Sequence, residues 1–385
     1  MKQVTVRIGA VTGIGTALVL AAAACSPAGQ VAGGRPAKAT AARPFLDQLH
    51  IVSQVASTVP ANGDVNPYGV TFVPQSAGRL VRGDVLVSNF NSKANIQGTG
   101  TTIVQVAPDG SVSQFATIAS LPRSLACPGG IGLTTALAVL HGGWVVVGSL
   151  PTVHGGVLPA ANPLGCLIVL NSQGKPVQTW TSPQINGPWD MTVREAGDRA
   201  ELFVSNVLSR PARGSATPPP AGLCDVVRLD VTLPAGGPPR LASTTVIGNG
   251  FVWQQNKAAL IEGPTGLALG ANGTLYVASA VGSSISAIPD AANRTAALSG
   301  QADIVSRGGG LNGPLGLTNA PNGDLIAVNG GNGNAVEITP AGRQVVTRTL
   351  VPGGAGDLFG VTTDADGDGL LFVNDGTNAL DLLSG

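Results

Sequence analysis

The 385-residue sequence predicts an all-β chain folded as a closed ring of six four-stranded units, and three observations point there. A short signature recurs, paired strand patterns follow it, and no stretch of useful length carries helical periodicity. Composition agrees, since 55 Gly and 28 Pro supply turns, and 43% hydrophobic residues with only 4% aromatic ones give a core of small aliphatic pieces. Lys, Arg, Asp and Glu together make up 11%, which excludes a coiled coil or a charge-rich disordered chain.

The signature reads Asn-Gly-Pro-Trp-Asp-Met at 186–191, Glu-Gly-Pro-Thr-Gly-Leu at 262–267 and Asn-Gly-Pro-Leu-Gly-Leu at 312–317. Asn-Pro-Tyr-Gly-Val at 66–70 is a shorter relative, and degenerate copies at 129–133 and 357–361 complete the set. Gly69, Gly132, Asp190, Gly266, Gly316 and Gly360 are therefore expected to be equivalent. After most copies comes a turn and an apolar strand with a small polar ending, as in Gly83–Asn89, Ala200–Asn206, Gly273–Ser279 and Gly323–Asn329. Asn272-Gly273 and Asn322-Gly323 suit tight hairpins because both residue types tolerate positive φ. Third strands follow at Ile103–Val106, Leu167–Leu170, Val226–Leu229 and Ala335–Ile338, and Gly turns lead on to fourth strands. Such a series of antiparallel units describes a six-bladed β-propeller.

The last unit stops at Leu383 after three strands. Val52-Ser-Gln-Val-Ala56 matches Val112-Ser-Gln-Phe-Ala116, the fourth strand of the first unit, so Ile51–Ser57 is expected to join the C-terminal blade and close the ring. Closure removes the free edges that invite aggregation.

Residues 1–24 read as a secretory signal, with Lys2 and Arg7 ahead of an apolar stretch from Ile8 to Leu20 and then small residues. The run from Leu20 to Cys25 resembles the lipobox of bacterial lipoproteins, which implies lipidation at Cys25; the alternative is ordinary cleavage that leaves a free thiol. Residues 25–44 form a flexible tether and 45–385 the propeller. The expected location is the cell envelope, on the outer membrane where the cell has one, or otherwise the periplasm or the medium. Five basic and no acidic residues precede Phe45, which leaves the body with five more acidic than basic residues. A body without a basic face excludes nucleic acid as a partner.

The Gly-Pro-x-Gly-apolar signature, the x-Asn-Gly-x-apolar turn and the Val-Ser-Asn ending resemble NHL repeats. More broadly the chain is similar to the six-bladed propellers of the NHL and SMP-30/gluconolactonase-like group, whose members serve as hydrolases, lyases and binding platforms. In a propeller the segments entering the innermost strands meet at one mouth of the channel. Their polar members here are Asn66, Asn186, Glu262, Asn312 and Asp357, a set of oxygen donors for a divalent cation such as Ca²⁺. The resemblance implies such a metal, with Glu262 and Asn186 like two of the group's ligands. The alternative is that each Asn before Gly-Pro satisfies its own turn.

A second ring follows from the strand endings, with Asn89, Asn206, Ser279, Asn329 and Asn374 and, in unit two, Gly148. These either contact a ligand or hydrogen-bond the adjoining loop. Trp189 offers apolar contact surface or inter-blade packing. Asp364, Asp366 and Asp368, with Asp375 at the twelfth position, match an EF-hand-type calcium loop; the alternative is a solvated acidic turn, because a strand follows and position nine is Phe372. His50, His141 and His154 give no imidazole ring for a zinc lyase. A Cys127–Cys166 disulfide is the first choice in an oxidising compartment, Cys166–Cys224 the second, and three reduced thiols the remaining option.

Two functions stay open. One is a monomeric, lipid-anchored binding or interaction platform for a protein or small molecule, with the Pro- and Gly-rich insertions Ser149–Gly165 and Ser205–Leu223 over the mouth. The other is a divalent-metal-dependent lactonase or related hydrolase using Glu262.

Overall fold

Short aliphatic runs separated by tight turns pair most readily with their neighbours in sequence, and successive antiparallel hairpins build each sheet in order. The computed structural model describes residues 43–385 apart from 154, 159–163, 209–222, 257–259 and 300–302. The expected signal, Cys25 and most of the tether lie outside the described residues. A 3₁₀ turn at Leu46–Gln48 precedes β1 (Ile51–Ser57). Blade one is β2 (Val65–Phe72), β3 (Val85–Asn91), β4 (Gln97–Val106) and β5 (Val112–Thr117). Blade two is β6 (Leu137–Leu140), β7 (Trp144–Ser149), β8 (Cys166–Leu170) and β9 (Pro176–Trp180). Blade three has the long strands β10 (Pro188–Ala196), β11 (Arg199–Asn206), β12 (Leu223–Thr232) and β13 (Arg240–Val252).

A separate antiparallel pair, β14 (Gln254–Asn256) and β15 (Leu260–Glu262), precedes blade four. That blade is β16 (Pro264–Leu269), β17 (Leu275–Ser279) and β18 (Ser284–Ile288), then β20 (Ile304–Arg307) after the short β19 (Leu298–Ser299), which adds to blade three. Blade five is β21 (Pro314–Asn319), β22 (Leu325–Asn329), β23 (Asn334–Ile338) and β24 (Gln344–Thr349). Blade six is β25 (Leu358–Thr363), β26 (Leu370–Asn374), β27 (Ala379–Ser384) and, as its outer strand, β1. The chain is a six-bladed β-propeller closed by its N-terminal strand, with Ile51 opposite Ser384 and Ser57 opposite Ala379.

The middle strands β8, β17, β22 and β26 are buried along their whole length, whereas the outer β5 and β24 are largely open. A strand covered by a blade on either side has no solvent face, so it reads as an unbroken apolar run. Six hydrophobic clusters follow, one between each pair of successive blades. The cluster between blades five and six also takes in Phe45, Leu46 and Leu49. There the buried Glu337 carboxylate accepts the Phe45 N–H at 2.8 Å and the Leu46 N–H at 2.7 Å, which fastens the segment leading into β1.

The signature glycines have a shared cause. A Cβ at Gly360 would sit 2.1 Å from the Tyr68 carbonyl oxygen, and one at Gly316 would sit 2.3 Å from that of Phe359. Neighbouring inner strands thus touch where only glycine leaves room. The same contact falls from Gly69 onto Thr135, which makes Ala136, not Gly132, the blade-two equivalent. Strand pairing agrees, since Leu137 opposes Val147 as Val70 opposes Val87, and the blade-two strand ending is accordingly Ser149 rather than Gly148.

Candidate functional site at the channel mouth

The residue before each signature position faces the middle of the ring. In blade order these are Tyr68, Thr135, Trp189, Thr265, Leu315 and Phe359, all buried. Tyr68 of blade one packs edge-on against Trp189 of blade three, with ring centroids 5.3 Å apart, and lies 5.0 Å from Phe359 of blade six. Contacts between non-adjacent blades require the side chains to meet across the centre, so this layer fills the channel. Trp189 Nε1 donates to the Tyr68 hydroxyl, while Thr265 Oγ1 donates to the Pro314 carbonyl at 2.8 Å and so links blades four and five. Leu158 and Leu208, from the two insertions, pack onto the same cluster.

Two acids border the plug. Asp190 occupies a slot that is glycine in four of the other blades. Its Oδ2 accepts the Leu267 N–H of the next blade at 2.9 Å and its Oδ1 accepts the Met191 N–H at 2.8 Å. Burial outweighs those bonds and pushes its carboxyl up to about 7. The Tyr68 phenol is held well above its ordinary value, first by burial and then by the negative charges of Asp190 and, more weakly, Glu262. Sequence reading placed Asp190 only as a repeat position; its departure from glycine was the available signal.

Glu262 ends β15 and lines a cavity of about 400 Å³ with Gln254, Asn256, Ser283, Asn312, Leu315 and Phe359. Gln254 Nε2 donates to its Oε2 at 3.0 Å and Asn256 Nδ2 donates to Oε1. Both amides come from β14, the partner strand, so the pair carries its own support for the carboxylate. A second cavity of about 800 Å³ meets the first at Asn256 and is lined by Ile96, Gln97, Val157, Leu158, Gln255 and Leu260. Gln254 and Asn256 had no repeat position and were not legible as site residues.

Of the five mouth residues expected to hold a cation, Glu262 and Asn312 share the smaller cavity. Asn66 and Asn186 are buried, with side-chain oxygens that lack a protein partner, but neither lines that cavity. Asp357 lies instead beside Asp375, whose N–H donates to the Asp357 carbonyl at 2.8 Å. Burial and then the Asp357 charge push the Asp375 carboxyl up to about 7. A hard cation takes about six to eight oxygens; here the cavity offers one carboxylate, already accepting two amide N–H groups, with the Gln254, Asn256 and Asn312 amides and the Ser283 hydroxyl as neutral oxygens. Among the described residues no three His, Cys, Asp or Glu side chains are grouped to hold a metal. With a single carboxylate among its described lining residues, the cavity shows no grouped metal centre.

The calcium-loop reading divides in space. Asp364 N–H closes its turn on the Gly369 carbonyl, and Asp364 Oδ1 accepts the Asp368 N–H at 3.0 Å. The Asp368 carboxyl is raised by its hydrogen bond to Asp364 and by the charges of Asp364 and Asp366. The five-residue strand β26 then intervenes, so Asp375 stands roughly 17 Å away at the other end of the blade and cannot complete that loop.

The strand-ending asparagines are buried; Asn89, Asn206 and Asn329 bond to loops, and Asn374 bonds to the neighbouring strand β27. Asn89 Nδ2 donates to Thr58 O at 2.7 Å, Asn329 Nδ2 to Gly310 O at 2.8 Å, and Asn374 Nδ2 to Asp381 Oδ2 at 3.0 Å. Asn206 Oδ1 accepts the Asn186 N–H at 3.1 Å. Asn89, Asn206 and Asn329 fix the mouth loops, none of the four lines either cavity, and Trp189 belongs to the plug. Cys127 is joined to Cys166, which leaves Cys224 free and buried.

No protein-family model matches the sequence, and no curated protein matches it. Among solved structures, a candidate gluconolactonase aligns with TM-score 0.54 at 16% identity, over 89% of this chain and 96% of that one. A gluconolactonase from Xanthomonas campestris aligns with TM-score 0.52 at 18% identity, over 88% of this chain and 90% of that one. At such identities the likeness is one of fold, the six-bladed propeller that the strand pairing shows independently.

Proposed function

We propose that the protein is an exported, lipid-anchored propeller of the cell envelope that acts as a binding platform, taking its ligand at the channel mouth. The observation that carries this reading is the pairing of a filled channel with an open, amide-lined cavity above it. Ligands dock in concave sites with an apolar base and a few fixed polar groups. Leu315 and Phe359 supply that base, and Glu262, Gln254, Asn256 and Asn312 supply the polar groups. Export rests on the N-terminal sequence, and intact mass of the N-terminal peptide tests it.

A metal-dependent lactonase is the second reading, favoured by the gluconolactonase from Xanthomonas campestris among the fold neighbours and by a carboxylate at the mouth. A lactone-hydrolysis screen with and without added Ca²⁺ separates the two, using wild type and Glu262→Gln. The platform reading predicts no turnover that depends on both metal and Glu262. Metal-dependent hydrolysis that disappears in Glu262→Gln contradicts it.

A further inference from the structure

Glu262 is the one formally charged side chain among the described residues lining either mouth cavity. The described ion pairs, Arg43–Asp47, Arg194–Glu201 and Arg228–Asp230, lie elsewhere, so no described cation offsets it. Its field reaches the Tyr68 hydroxyl and adds to that of Asp190, which makes the mouth a region of negative potential on a body already acidic. A half-buried carboxylate without a counter-charge is costly unless a ligand supplies one. Two of its lone-pair sites are taken by the Gln254 and Asn256 amides, which orient it, and others remain.

The surroundings choose between cations. Around Glu262 the wall adds, among the described residues, neutral amides, the Ser283 hydroxyl and hydrocarbon but no second carboxylate, a poor match to a hard divalent cation. An ammonium group needs only acceptors at one end, and its carbon body can lie on Leu315 and Phe359. We propose that this cavity binds an organic primary amine, with the ammonium on Glu262 and the apolar body against Leu315 and Phe359. The inference rests on the platform reading and names its ligand class.

The test is a ligand-observed NMR titration at pH 7 with phenethylamine, its neutral analogue 2-phenylethanol, and CaCl₂. Wild type is expected to bind phenethylamine at least about tenfold more tightly than the alcohol, the usual scale of a charge-assisted hydrogen bond. Glu262→Gln, checked for an unchanged melting temperature, is expected to lose that preference. Phe359→Leu is expected to weaken both organic probes alike. Equal binding of amine and alcohol, or an amine affinity unchanged in Glu262→Gln, overturns the proposal. So does tight Ca²⁺ binding that Glu262→Gln abolishes. Lys257, five residues before Glu262 in sequence, provides a further control. Amine binding seen only in Lys257→Ala makes the chain's own lysine the occupant and also overturns the proposal. Failure of amine binding with a negative lactone screen overturns this inference alone, whereas metal-dependent lactone turnover removes the platform reading with it.

Discussion

Asp190 shows how one substitution in a repeat changes the chemistry of the centre. Where glycine lets adjacent inner strands touch, the carboxyl of Asp190 bridges them by accepting the Leu267 N–H, and burial lifts it to about 7. An acid raised in the folded state supports the fold fully below its unfolded pKa of about 4, and that support is lost as pH rises through about 7. Asp375, also near 7, and Asp225, near 6, act in the same direction. Stability should therefore fall between pH 5 and pH 8. In Asp190→Asn the fall should be smaller by about 3 kcal/mol, since only the two pH units from 5 to about 7 contribute, at about 1.4 kcal/mol each. Urea unfolding at the two pH values measures this, and an equal fall in both proteins contradicts the assignment. The sequence shows an acid in a glycine slot, but the burial that sets its pKa depends on blades three and four meeting, which no local pattern records.

At the scale of the element, the closing strand is the part the sequence makes most legible. A last unit one strand short and a matching Val-Ser-Gln segment near the other end leave one solution, and β1 pairs with β27 along its length. Deleting residues 45–58 removes that strand together with buried Phe45, Leu46 and Leu49 and the two N–H groups that Glu337 accepts. The cost should exceed about 5 kcal/mol, given 2–5 kcal/mol for each large buried side chain. Calorimetry of the truncated protein checks it, and an unchanged melting temperature contradicts ring closure by β1. Blade two was less legible for a physical reason. Gly129, Gly130 and Gly132 imitate a signature, but they belong to the loop after Cys127, while the true inner strand carries Ala136 and keeps its position through aliphatic packing. The β14–β15 pair was invisible because it belongs to no repeat, yet it carries Glu262 and both amides that hold it.

Over the whole molecule, six inter-blade cores, an N-terminal clasp and a central aromatic layer build a rigid ring whose features of chemical interest sit at one end. The low charge takes on a definite meaning in this setting. With few acids in the chain, most carboxylates near the mouth are buried, paired with one another or held by backbone N–H groups, and Glu262 is left facing the cavity. The sequence placed Glu262 at the mouth through its Glu-Gly-Pro signature. Its apparent ligand partners were scattered, because asparagines at equivalent repeat positions point into loops as readily as toward the axis.

The central claim is that Glu262 serves as an oriented anchor for a ligand rather than as one member of a metal's ligand set. A crystal structure of the protein grown in Ca²⁺ tests it most directly. The account predicts that the Glu262 oxygens stay within hydrogen-bonding distance of the Gln254 and Asn256 amides. A calcium ion about 2.3–2.6 Å from Glu262, with Asn66, Asn186 or Asn312 completing its shell, would contradict it.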